Sequence, residues 1–128
     1  RCAGKLLYDT NTVTEQYVEE MVSSVKKHGP YIVVCKGMAL PHADCSKGAI
    51  KEAASFVRLK TPIEFGSVYN DPVRYVIGMS IKSAESINQA IYDMMKIFGD
   101  ENNMNKFDSL PDEQAVLDMI NSFQKQKI

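Results

Sequence analysis

The stretch Val73 to Ile81 constrains the fold most. Val73, Tyr75, Ile77, Met79 and Ile81 alternate at the period of an extended chain, and Val76 and Gly78 keep the opposite face largely apolar. A strand that is apolar on both faces must be covered on both faces. It therefore belongs in the middle of a sheet with helices above and below it. Helical spacing supplies the cover. Ile87, Ala90, Ile91, Met94, Met95 and Phe98 hold one face, and Gly99 sits at the expected stop. Earlier, Tyr17, Val18, Met21, Val22 and Val25 recur at helical spacing behind a Thr12/Glu15 capping box, and Gly29-Pro30 ends that helix.

The remaining elements are shorter. Leu6, Leu7 and Tyr8 close a short opening helix, broken by the polar Asp9–Thr12. Tyr31–Cys35 is a β-branched run that reads as a buried strand, and Lys36–Gly48 reads as a loop. Ser55–Leu59 is expected to be a second strand, with turns at Thr61-Pro62 and Asn70-Asp71-Pro72. After the long strand and its helix come a helix near Asn102–Phe107 and a last one starting near Ser109 or Pro111. The stripe of that last helix is Val116, Leu117, Ile120 and Phe123. The chain is read as α/β (α+β): one β-sheet flanked by helices on both faces.

Composition bounds the function. The 128 residues fit one domain, since halves of roughly 60 residues have marginal cores. With 15 Lys+Arg against 16 Asp+Glu the net charge is −1, which leaves no basic excess to drive nucleic-acid or anionic-membrane binding. No apolar run approaches the roughly 20 residues that span a bilayer. Three cysteines at 2, 35 and 45 give no disulfide framework, so reduced thiols in the cytoplasm are expected. Cys35, His42 and Cys45 lack a C-x-x-C pair and a fourth ligand, and no metal site is expected from them. His28, next to the helix-stopping Gly29, suits the C-terminal end of a helix dipole.

That leaves His42. It follows Pro41, which fixes the backbone ahead of it, and precedes the small residues Ala43, Ser46 and Gly48, whose N–H groups can approach an anion. A neutral imidazole is a nucleophile near neutral pH. At this point a histidine that merely hydrogen-bonds within its loop stays an open alternative.

The run Gly29-Pro30-Tyr31-Ile32-Val33-Val34, then Gly37-Met38-Ala39-Leu40-Pro41-His42-Ala43, resembles the enzyme IIA domains of the bacterial sugar phosphotransferase system. The mannitol–fructose class, and its ascorbate-type branch, are the nearest in kind. The likeness continues through Phe56–Phe65, Asn70-Asp71-Pro72-Val73, Phe98-Gly99-Asp100-Glu101 and Glu113–Ile120, and covers nearly the whole chain. It implies a mannitol-type enzyme IIA fold with a mixed sheet, in a single domain over residues 1–128 that lacks the family's opening strand. It implies a cytoplasmic phosphotransferase in which His42 accepts a phosphoryl group from the phosphohistidine of HPr and passes it to enzyme IIB. No cofactor is implied. Membrane contact would come only indirectly, through enzyme IIC, and the sugar would be ascorbate, a pentose or a polyol.

The resemblance also marks departures. The family's second histidine has no counterpart in Ser83–Gln89, so Ser86, Asn88 and Gln89 become the expected phosphoryl-stabilising donors. Lys36, Lys47 and Arg58 are the nearest cations in sequence. Asp44 stands where relatives often carry arginine, and its carboxylate would repel a phosphoryl group. Met38, Leu40 and Ala43 are the expected apolar docking patch around His42. The absent second histidine and the start at Arg1 keep a second role in view: a regulatory domain of a sugar-responsive transcriptional regulator or antiterminator.

Overall fold

The computed structural model describes residues 1–29, 32–44, 48–80 and 82–125; the side chains of His28, Ala84, Ile87 and residues 120–125 are outside that description. In chain order the elements are α1 (Cys2–Asp9), α2 (Glu15–His28), β1 (Val33–Cys35), β2 (Met38–Ala39), β3 (Ala53–Ile63), β4 (Val73–Ser80), α3 (Ala84–Phe98), α4 (Glu101–Asp108) and α5 (Glu113–Lys125). Among the described residues the sheet runs β1-β2-β4-β3. β1/β2 and β3/β4 are antiparallel and β2/β4 is parallel, so the sheet is mixed.

β4 is an interior strand, as its two apolar faces require. On one face Tyr75, Ile77 and Met79 pack with Met38, Leu40, Ile97, Phe98, Met104, Phe107 and Val116, which fastens α3, α4 and α5 to the sheet. Phe98 stacks on Phe107 at 4.8 Å between centroids, and Phe56 lies 5.4 Å from Tyr75. Asp108, at the end of α4, pairs with both the Tyr75 hydroxyl and Arg74. Burial first, and Asp108 second, hold the Tyr75 phenol well above its ordinary pKa. On the other face sit α1 and α2, whose Leu7, Tyr17 and Met21 form a second cluster with Val13 and Ala43. α1 comes close because Gly78 has no side chain. A Cβ there would lie 2.9 Å from that of Ala3 and 2.7 Å from Ser55 Oγ, which itself donates to the Ala3 carbonyl at 2.8 Å.

Several sequence expectations are corrected. The segment read as a loop contains β2, too short to show a period and held by its ladder to β4. β1 is an edge strand, and Tyr31 falls outside the described residues. β3 runs through Thr61-Pro62 instead of turning there; a proline is tolerated because β3 is also an edge. The N-cap of α2 is Thr14, whose hydroxyl accepts from Tyr17 N at 3.3 Å. Thr12 stays outside the helix, since Val13 bridges Ala49 and the Thr12 carbonyl accepts from Ile50 and Lys51. Met95 and Leu117 are exposed, while their neighbours Met94, Val116 and Met119 face the core. The rest of the last stripe, Ile120 and Phe123, falls outside the described side chains.

The approach of α1 to Gly78 yields a prediction. Gly78→Val should destabilise the domain by about 1–3 kcal/mol in urea unfolding, because α1 has to move off the sheet. A cost under about 0.5 kcal/mol would show that α1 does not depend on this contact.

Candidate functional site

His42 lies just past the carboxyl end of β2, where that strand runs parallel to β4. Crevices beyond the carboxyl ends of parallel strands are where open α/β sheets place their sites. The approach is built from backbone bonds. Leu40 N donates to the Ile32 carbonyl at 2.8 Å, and Met79 N donates to the Pro41 carbonyl at 3.0 Å, which extends the β2–β4 pairing past the last strand residue. Beyond His42, Ala43 N donates to the Tyr17 hydroxyl at 3.2 Å, and that hydroxyl donates to the Met79 carbonyl at 2.7 Å, with the Ala43 carbonyl 3.3 Å away. The far end of the loop returns to α2, where Thr14 N donates to the Gly48 carbonyl at 2.9 Å.

The imidazole is half-buried and its Nδ1 lies 2.8 Å from the Leu40 carbonyl oxygen. A carbonyl can only accept, so in the neutral ring Nδ1 carries the hydrogen and Nε2 carries the in-plane lone pair. That makes Nε2 the nucleophilic atom. The same hydrogen bond strengthens when the ring gains positive charge, as it does when Nε2 forms a bond to an electrophile.

The other expected site residues divide. Ser86 stands in the first turn of α3 and Asn88 just beyond it; the helix follows the carboxyl end of β4 and so opens at the same end of the sheet as His42. Ser83 caps that turn, accepting from Ser86 N at 3.1 Å and donating to Ser86 Oγ at 2.9 Å. This leaves the Ser86 hydroxyl hydrogen to donate elsewhere. Gln89 is turned along its helix toward Asp93, at 3.0 Å. Arg58 is elsewhere. It pairs in register with Tyr75, roughly 13 Å along β4 from Met79, and its guanidinium donates to the carbonyls of Phe107 and Leu110 at 3.0 and 2.6 Å, closing the end of α4. Lys36, exposed in the β1–β2 turn, is likewise at the other end of β2. Asp44 is exposed. Cys45, Ser46 and Lys47 lie outside the described residues.

The expected docking patch is corrected. Met38 and Leu40 are 0% exposed within the main core, and Ala43 is buried against α2. They hold the histidine loop down and offer no surface to a partner. The Ala43 N–H, expected as a donor to an anion, is committed to Tyr17. Among the described residues no group of three or more His, Cys, Asp or Glu side chains could hold a metal ion. Burial pushes the Cys35 thiol up to about 11, so near neutral pH it is not a thiolate nucleophile. An apolar cleft of about 330 Å³ lies between α2 and the sheet and reaches Pro41.

Tyr17 is the participant that sequence reading missed. Its helical spacing puts it in the buried stripe of α2, and a buried tyrosine has to find a partner for its hydroxyl; that requirement is the signal the sequence offers.

The chain was compared with known proteins. The family model "Phosphoenolpyruvate-dependent sugar phosphotransferase system, EIIA 2" matches residues 1–123. An ascorbate-specific PTS system EIIA component of Escherichia coli (strain K12) is 34% identical over 116 residues, spanning 90% of this chain and 75% of that protein. The solution structure of a mannitol-specific cryptic phosphotransferase enzyme IIA from Escherichia coli superposes with a TM-score of 0.77 at 28% identity, over 92% of this chain and 80% of that one. A mannitol enzyme IIA solved in complex with phosphorylated enzyme IIB, also from Escherichia coli, gives 0.80 at 23% identity over 94% and 83%, a likeness of fold. Among the described residues no helix is long and apolar enough to cross a membrane.

Burial of the loop's apolar residues is testable. Met38→Asp places an unpaired carboxylate in the core and should cost at least about 3 kcal/mol in chemical unfolding. A variant of native stability that is only slowed in phosphoryl transfer would restore Met38 to a docking role.

Proposed function

The chain belongs to the EIIA 2 family of the phosphoenolpyruvate-dependent sugar phosphotransferase system, and from that premise we propose that His42 is its phosphoryl acceptor, reacting through Nε2. As an enzyme IIA component the chain is a phosphotransferase. The observation that carries the proposal is the Nδ1–Leu40 hydrogen bond, which assigns the lone pair to Nε2 at the carboxyl end of the parallel pair.

In the proposed relay the donor is phospho-HPr. The Nε2 lone pair forms the new N–P bond as the donor's N–P bond breaks, and the positive charge gained by the ring is met at Nδ1–H by the Leu40 carbonyl. The same bond breaks in turn when the group passes in line to enzyme IIB. Positioning does most of the work in such a transfer, and neither a metal nor an organic cofactor enters this account. Ser86, with a hydroxyl hydrogen to give, and Asn88 are the donors proposed for the phosphoryl oxygens, while the exposed Asp44 carboxylate opposes their negative charge. The whole of residues 1–128 is taken as one domain. The cytoplasm is its proposed place, with the membrane reached only through enzyme IIC.

The curated relative described above is an ascorbate-specific EIIA component. This supports ascorbate or a related compound as the sugar, and supports a transport relay over a regulatory domain.

Incubation with enzyme I, HPr and phosphoenolpyruvate should place one acid-labile phosphate per chain, and His42→Ala should take up none. Equal uptake in the variant would refute the assignment.

A further inference from the structure

We propose that the first turn of α2 positions the phosphoryl acceptor, with Tyr17 as a positioning residue that sets the tautomer of His42. The proposal rests on the reading of His42 given above. Tyr17 is 0% exposed, and its hydroxyl bridges two backbone groups that are otherwise far apart in the chain: it accepts from Ala43 N and donates to the Met79 carbonyl. Ala43 N belongs to the peptide that leaves His42. The peptide that enters His42 carries the Pro41 carbonyl, which accepts from Met79 N. Both peptides flanking the imidazole are thus tied to one residue of β4, directly on one side and through the Tyr17 hydroxyl on the other.

This restraint matters because the Nδ1–Leu40 bond spans only two residues. With the exit peptide untied, the torsion φ at His42 is free to change, and that rotation carries the ring away from the Leu40 carbonyl. An imidazole without that acceptor samples both neutral tautomers, and in the Nε2–H form its lone pair is on the wrong nitrogen.

An independent observation points to the same turn. The loop that begins at His42 ends at Gly48, whose carbonyl accepts from Thr14 N, three residues before Tyr17. Gly48 has φ +115°, and a Cβ there would lie 1.9 Å from Thr14 Oγ1, so a larger residue could not close this way. One helical turn therefore holds both ends of the loop. For a transfer whose catalysis is largely positioning, this clamp sets the geometry of attack.

The test is the tautomer of the neutral His42 ring, read by long-range 1H–15N NMR, in the wild-type chain and in Tyr17→Phe. Phenylalanine keeps the ring volume and removes the bridge. The wild type should show the Nδ1–H form alone. Tyr17→Phe, with a native amide spectrum, should show both forms, and single-turnover transfer from phospho-HPr should slow about tenfold with an unchanged KM for phospho-HPr. A variant that keeps the pure Nδ1–H tautomer and the wild-type rate would overturn the proposal. Should the variant not fold, the wild type decides alone, since an Nε2–H or mixed ring there also overturns it. The tautomer is read without any phosphoryl donor, so the clamp and the acceptor role of His42 fail separately.

Discussion

Met79 commits its backbone N–H to Pro41 in the histidine loop and its carbonyl to the Tyr17 hydroxyl of α2, which in turn holds that loop. Within a sheet those groups would go to a neighbouring strand. Here β2 stops at Ala39, and the obligation to pair buried N–H and C=O groups is met by the loop and by a helix side chain. The site is thereby attached to an interior strand of the sheet. β4 is packed on one face by aromatic rings from β3, α3 and α4 and approached on the other by α1 over Gly78. A half-buried imidazole on such a support is held in place by the fold instead of by its own loop.

This arrangement explains how a chain of near-neutral charge with only two histidines can perform phosphoryl transfer. One nitrogen must present a lone pair and the other must carry a hydrogen into a fixed acceptor; the Leu40 carbonyl meets the second need and thereby the first. Of the described cysteines, neither has a part that the geometry supports. Cys35 is partly buried with a raised pKa, and Cys2 is exposed on α1.

The sequence disclosed the parts of this fold that have a period. The alternation from Val73 to Met79 and most of the stripes of α2 and α3 are long enough to identify buried faces, and Pro41-His42 marked the candidate loop. Short segments carry no period. Met38-Ala39 is two residues of strand, and beside a polar loop its apolar side chains, with Leu40 and Ala43, look the same whether they face a partner or the core. Arg58 is close to His42 only in the sense that both are near strands; the register with Tyr75 sends it to the other end of the sheet. Tyr17 stands 26 residues before Ala43 and 62 before Met79, and no local pattern reports a bond over such distances. Thr12 and Thr14 both fit a cap, and only the bridge between Val13 and Ala49 decides between them.

The central claim concerns one atom, and the phosphorylated chain tests it. With the ring 15N-labelled, coupling to 31P identifies the nitrogen that carries the phosphoryl group. The account predicts phosphorus on Nε2 of His42 with a hydrogen still on Nδ1. Phosphorus on Nδ1, or on any other residue, would contradict it.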